Sequence, residues 1–409
     1  MADTRSFGCT NPLIFISAAE PSADLHAAWL IRATRDRCPS VRFVGVTGPR
    51  MVEAGCDSVF SMIGESAMLL SAIKAMRRGM AMMRVSERHL RRYAFNAAVV
   101  IDSPVLHLPL AAKAHAAGVP VMYYIAPQMW AWGTYRVGKL RDRADRVAVI
   151  FPFEEKYFRD RGVNATYVGH PLAEQFACAS IDEAVVKNIR ACGTPVVALF
   201  PGSRKHVVKD VLRGQLEVAE RIAAAIPGAT FLVSAANAHV APLVHQLLAS
   251  CRAPVKPYSA NHTELIRAAD LVLTASGTMA LEVALHERPM IVMYNASRFL
   301  YHLIGRWMIQ TPFLSLPNIL AGREIVPEFM PYYTSTKPIA RRALELLRSD
   351  DERQKMVNDL RTVVEPLKGR SASQNAAAML LDMIGWQGGP YTDPNPMSPA
   401  AAAPTSNQG

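Results

Sequence analysis

The chain has 409 residues, 50% of them hydrophobic, and a formal charge of +11. That supplies core for two domains of ordinary size. No apolar run approaches the ~20 residues that span a bilayer, which leaves only peripheral membrane contact. Six cysteines lie scattered with no C-x-x-C pair and no histidine at ligand spacing. This usage fits a reduced cytosolic protein without structural zinc.

In chain order, the apolar run from Leu13 is too short for a signal-peptide core and runs into Glu20, so residues 13–17 are read as the first buried strand. Further β-branched runs at 42–46, 97–101, 119–125, 146–151 and 166–168 alternate with helical stretches. After Gly169-His170-Pro171 the pattern restarts at 195–200, 230–234, 270–275 and 290–294. Strands alternating with helices predict parallel sheets covered on both faces, here two doubly wound, Rossmann-like domains of the α/β class. The expected division is 1–170 and 171–355, with C-terminal helices over 356–386 packing back on the first domain. Residues 387–409, mostly Pro, Ala, Ser, Gly and Asn, read as a disordered tail.

Between the first strands, residues 67–84 form an amphipathic stretch in which Leu69, Ile73, Met76 and Met80 share one helical face. Lys74, Arg77, Arg78 and Arg84, followed by Arg88, Arg91 and Arg92, lie beside Met and Leu with no aromatic interleaving. The mixture favours an anionic membrane surface over nucleic acid as a partner. A core-facing helix accounts for the same pattern.

In open parallel sheets, ligands bind beyond the C-terminal strand ends. The loops there carry the unusual residues. Glu20, Ser22 and Asp24 follow the first strand, with Ser22 or Asp24 also a candidate N-cap. Asp102 follows the apolar run to Ile101, where a general base for a sugar hydroxyl would stand or, equally, cap a turn. Gln128, Trp130 and Trp132 suit a sugar face or an acyl chain, or pack the domain.

Pro201-Gly-Ser-Arg204 offers a close backbone approach at Gly202, a helix cap at Ser203 and a fork of donors at Arg204. Ser276, Gly277 and Thr278 form a small turn at a helix start, suited to phosphate. Glu282 is placed to accept from a ribose diol, or is an ordinary helix acid. Asn318 and Glu328, in a loop stiffened by Pro317 and Pro327, are candidates for a base or sugar edge. The alternative for both is a purely structural loop. His26, His107, His170 and His206 have no metal-site company, so neither a metal nor another cofactor is expected.

Taken as an ordered set, A-E-P-S-A-D, G-P-R-M, I-D-S-P, A-P-Q-M-W-A-W, F-P-F-E, V-G-H-P-L, P-G-S-R, A-S-G-T and S-L-P-N-I-L-A-G with V-P-E resemble the lipid-A-disaccharide synthase family over roughly residues 13–380. The resemblance implies a GT-B type glycosyltransferase fold, two Rossmann-like domains facing a cleft. It implies metal-independent inverting transfer from UDP-2,3-diacylglucosamine to 2,3-diacylglucosamine 1-phosphate, giving a β-1,6 disaccharide and UDP. It further implies a cytoplasmic protein held peripherally at the inner face of the inner membrane, and is compatible with a homodimer.

The chain departs from the family pattern at Ala19, Ala23 and Ala27, where glycines are usual, and at Val105, Val207, Asn295 and Pro331. A methyl group at the three alanines would narrow backbone approach and penalise a left-handed conformation. A UDP-sugar 2-epimerase of the same fold, and a divergent or inactive paralogue that binds UDP-sugar without this turnover, are the competing readings.

Overall fold

The structure is a computed structural model that describes residues 11–62, 72–235, 237–295 and 311–386. The expected tail and the Leu69 end of the amphipathic segment fall outside the described residues. The chain divides into two compact units, Met1–Ala177 with Leu367–Gly409, and Cys178–Pro366.

The first unit holds seven strands: β1 (Leu13–Ala18), β2 (Arg42–Thr47), β3 (Cys56–Ser61), β4 (Ala97–Ile101), β5 (Val121–Tyr124), β6 (Arg146–Val149) and β7 (Ala165–Tyr167). Their order across the sheet is β3-β2-β1-β4-β5-β6-β7, with every pair parallel. β4 and β5 are buried along their whole length, as strands covered on both faces must be. Phe15, Val100, Leu110, Tyr123 and Phe158 are among the residues of that core.

The second unit holds β8 (Val196–Phe200), β9 (Thr230–Ser234), β10 (Val255–Tyr258), β11 (Leu271–Thr274), β12 (Met290–Met293) and β13 (Glu328–Phe329), ordered β10-β9-β8-β11-β12-β13 and again parallel throughout. The strands that the sequence does not announce, β3, β10 and β13, all lie at sheet edges. An edge strand buries only part of itself, and Asp57, Ser58, Lys256 and Pro257 are exposed, so no apolar run marks it.

The Ala372–Met383 helix lies on the Pro21–Arg37 helix of the first unit. Arg37 Nε donates to Gln374 Oε1 at 3.1 Å, and Asn375 Nδ2 to the Val168 carbonyl at 2.8 Å. The preceding Asp350–Val364 helix belongs to the second unit, and the chain returns to the first at Leu367.

In each sheet the strand order turns back at one pair of neighbours. β1 lies beside β4 with Ala18 opposite Ile101, and β8 beside β11 with Phe200 opposite Thr274. At such a reversal the following loops diverge to opposite faces and leave an opening at the sheet edge.

Candidate active site

In the second unit the loops after β8 and β11 emerge side by side. Gly202 has φ +108°, and a Cβ there would meet Val207 Cγ1 at 2.9 Å, so Val207 packs directly over the glycine. Gly277 has φ +129° and ψ −156°, and a Cβ would meet nothing. Conformation rather than space calls for glycine at 277.

The Lys205–Ala225 helix begins at Arg204 and the Thr278–Leu285 helix at Gly277, and no side chain caps either start. The expected cap by Ser203 does not form; its hydroxyl is not the cap, and its carbonyl accepts from Asn237 Nδ2 at 3.1 Å. Two helix N-termini on adjacent strands therefore keep open backbone N–H groups at their positive dipole ends, the arrangement that suits a diphosphate. Ser203, Arg204, Gly277 and Thr278 are exposed there, and Ser276 is half-buried with its hydroxyl donating to the Leu314 carbonyl at 3.3 Å.

Glu282 lies one turn into the second of these helices, and its Oε1 is 2.7 Å from His262 Nε2. This hydrogen bond, against the opposing effect of burial, raises the His262 pKa above its ordinary value. Sequence reading missed His262: it opens a helix capped by Asn261 and sits far from Glu282 in the chain, so spacing carries no signal of the pair.

The 314–328 segment is not the expected loop: Leu316–Ala321, with Asn318 in it, is a short helix, and Glu328 opens β13. Asn318 is fully buried. Its Nδ2 donates to the Val326 carbonyl at 2.9 Å and to Glu328 Oε2 at 3.1 Å. Its Oδ1 accepts from the backbone N–H groups of Ile325 at 2.8 Å and Val326 at 3.0 Å. No valence remains for a base or sugar edge. Glu328 in turn accepts from the backbone N–H groups of Leu314 at 2.8 Å and Ser315 at 2.9 Å. Both residues shape the loop that touches Ser276. Asn318→Ala should therefore lower unfolding stability by about 1–3 kcal/mol, read by denaturant titration. A change below the error of that measurement would show the staple to be dispensable.

In the first unit Glu20 is exposed at the start of the Pro21–Arg37 helix, and its Oε1 accepts from Ser103 Oγ at 3.2 Å. Glu20 itself occupies the N-cap position, not Ser22 or Asp24, and no side chain caps that helix. Ser22 is exposed. Asp24, expected to contact substrate, is buried, and its two oxygens accept from the backbone N–H groups of Arg50 at 3.1 Å and Met51 at 3.0 Å. It joins the β1 and β2 loops.

Asp102 follows β4 with φ +51°, and Ser103 with φ +43°. Two consecutive non-glycine residues in the left-handed region cost about 1–3 kcal/mol each and persist only where the surroundings hold them. Burial raises the Asp102 carboxyl pKa above its ordinary value; a hydrogen bond from the Ser103 backbone opposes this, and the charge of Glu20 adds to it. Gln128 is half-buried at the start of the short Met129–Trp132 helix. Trp130 is buried, its indole N–H donating to Glu154 Oε1 at 2.8 Å and its ring edge-on to Phe153. Of the two readings of this ring, packing fits its burial and its bond to Glu154. Burial pushes Glu154 up to about 7, against the donors Trp130, Phe151 and Ile150.

The alanines that stand where the family has glycine are accommodated. Ala23 and Ala27 are buried within the first helix, and none of the three alanines has a positive φ. The left-handed penalty expected for them does not arise. Val105 is 75% exposed at the start of the Pro104–Ala116 helix, three residues from Asp102.

The model of the lipid-A-disaccharide synthetase family matches residues 14–382. A lipid-A-disaccharide synthase of Solibacter usitatus is 34% identical over 375 residues, covering 91% of this chain and 97% of that protein. One of Neisseria meningitidis is 33% identical over 387 residues, covering 93% and 99%. Among solved structures, a UDP-GlcNAc 2-epimerase from Neisseria meningitidis bound to UDP-GlcNAc superposes with a TM-score of 0.57 at 11% identity, covering 91% of this chain and 99% of that one. MurG of Acinetobacter baumannii does so with a TM-score of 0.57 at 11% identity, covering 91% and 99%. These structural likenesses establish the two-Rossmann-unit, GT-B class of fold. With its motifs in order and its relatives matched almost end to end, the chain belongs to the lipid-A-disaccharide synthetase family.

Proposed function

We propose that the protein is an inverting glycosyltransferase that transfers 2,3-diacylglucosamine from UDP to the 6-hydroxyl of 2,3-diacylglucosamine 1-phosphate, forming a β-1,6 disaccharide and releasing UDP. The observation that carries this reading, within the family, is the pair of uncapped helix starts on neighbouring strands beside exposed Arg204. Asp102 takes the proton of the acceptor hydroxyl as that oxygen attacks the anomeric carbon. The carbon–oxygen bond to UDP breaks, and its electron pair leaves on the diphosphate. Arg204 and the open N–H groups at Gly277 and Thr278 meet that charge. Glu282, steadied by His262, offers its remaining oxygen to the ribose diol.

The discriminating experiment incubates the purified protein with the two acylated substrates and follows disaccharide and UDP by mass spectrometry. Stoichiometric appearance of both is expected. Conversion of UDP-N-acetylglucosamine to its 2-epimer, without disaccharide, would replace this reading by the epimerase one. UDP binding without any turnover would leave only a binding protein.

Acylated substrates reside in membranes, and the Ala72–Arg92 helix bears on access to them. Its inward face carries Met82, Ser86 and Leu90, whereas Met76 is 62% and Met80 45% exposed. Those two methionines are not core. They share the solvent side with exposed Arg77, Arg84, Arg88, Arg91 and Arg92, a mixture suited to an anionic bilayer surface at the cytoplasmic face. Met76→Ser/Met80→Ser should reduce sedimentation with anionic liposomes several-fold without lowering the melting temperature. Equal sedimentation of variant and wild type would remove this helix from the membrane contact.

A further inference from the structure

The left-handed pair Asp102 and Ser103 is held by a buried polar network that the reaction itself does not use. The Asp102 carbonyl oxygen accepts from Tyr123 Oη at 2.7 Å and is 2.9 Å from His107 Nδ1. A carbonyl only accepts, so Nδ1 carries the imidazole proton. Nε2, 3.0 Å from Ser17 Oγ, then accepts from that hydroxyl. Ser17, His107 and Tyr123 are fully buried. They come from β1 and β5, the strands on either side of β4, and from the Pro104–Ala116 helix that follows β4.

Neither ring is placed to exchange protons with a substrate. Both nitrogens of His107 are engaged, and burial lowers its pKa to about 4, keeping the ring neutral. Burial raises the Tyr123 phenol in the same way, so it stays a donor. With both lone pairs of the Asp102 carbonyl occupied, the peptide plane after Asp102 is fixed. The plane before it is held by the Asp102 N–H donating to the Tyr124 carbonyl at 3.2 Å, and the two planes together set the left-handed turn at Asp102.

We propose that His107 and Tyr123 are positioning residues for Asp102: by clamping its carbonyl from two neighbouring elements they hold the strained turn that sets the carboxylate for reaction. This inference rests on the reading of Asp102 as the base. Displacement of a reacting group by about an ångström costs up to about 100-fold in rate. The clamp therefore acts on kcat, whereas the UDP-binding loops lie in the other unit.

The test compares Tyr123→Phe, His107→Leu and His107→Asn with Asp102→Asn in steady-state assays with both substrates. UDP affinity, melting temperature and the pH dependence of kcat/KM are recorded for each. Tyr123→Phe removes one hydroxyl and keeps the ring, so it reports on the clamp even if His107→Leu unfolds. We expect Tyr123→Phe and His107→Leu to lose about 10–100-fold in kcat with UDP affinity unchanged. His107→Asn, whose amide can still donate to the carbonyl, should recover most of the loss. The acidic limb of the pH profile should move to lower pH as the released carboxylate becomes better solvated. A folded Tyr123→Phe variant with wild-type kcat and an unmoved limb would overturn the clamp, as would a His107→Asn variant no more active than a folded His107→Leu. Full activity of Asp102→Asn would instead overturn the assignment of the base.

Discussion

Asp102→Asn is expected to lower kcat by about 10²–10⁴-fold while leaving UDP-sugar affinity nearly unchanged. The substitution keeps the shape of the side chain and its strained backbone and removes basicity alone. Asp102 sits at the reversal of the first sheet, beside Glu20 across the β1–β4 junction. The nearby position 105 holds an exposed valine, and Asp24 is committed to the backbone of Arg50 and Met51. Among the described residues Glu20, on the neighbouring loop after β1, is the carboxylate next to Asp102, and its Oε1 already accepts from Ser103 Oγ.

A pH dependence follows from the same geometry. Burial raises the Asp102 carboxyl above the ordinary carboxylate range, with Glu20 adding to the effect and the Ser103 backbone opposing it. A base works only when deprotonated, so kcat/KM should climb as pH rises through that raised pKa and level off above it. Glu20→Gln should move the climb to lower pH by removing the neighbouring negative charge. A wild-type rate that stays flat down to the ordinary carboxylate range, or an active Asp102→Asn variant, would assign the proton to another group.

The sequence made the sheet-centre strands and the strand-end loops legible, because full burial and a C-terminal turn each leave a local mark. Leu13–Ala18, Ala97–Ile101 and Thr230–Ser234 announce themselves as apolar runs, and the glycines at 202 and 277 as breaks after them. The edge strands left no such mark, since half-exposed Cys56–Ser61 reads like loop. Side-chain roles were less legible than positions. Asn318 and Glu328 stand in a polar, proline-punctuated stretch that reads as a ligand pocket, yet Asn318 is consumed by partners within that stretch and Glu328 accepts from two of its backbone N–H groups. Trp130 reads equally as a platform for a sugar or acyl chain and as packing, and its bond to buried Glu154 favours packing. What a polar residue bonds to depends on partners distant in sequence, such as His262 for Glu282 or Tyr123 for Asp102, and one-dimensional spacing does not encode them.

Arg204→Ala is expected to weaken UDP binding by about 10–150-fold, the equivalent of one lost charge-assisted hydrogen bond at about 1.5–3 kcal/mol. Arg204 is exposed at the opening of the Lys205–Ala225 helix, with no carboxylate partner among the described residues. It therefore breaks no ion pair when it turns to a ligand, and its planar fork can meet two diphosphate oxygens at once. The open N–H groups at Gly277 and Thr278 on the adjacent strand would still bind the anion in the variant, which is why affinity should fall and not vanish. Arg204→Lys separates charge from geometry: a point charge on a flexible stem should restore part of the affinity but less of kcat, because charge on the departing diphosphate grows in the transition state. Calorimetric UDP affinity equal in wild type and Arg204→Ala would place the diphosphate elsewhere. Equal kcat in Arg204→Lys and wild type would show that the fork contributes charge alone, leaving the two helix starts to orient the leaving group.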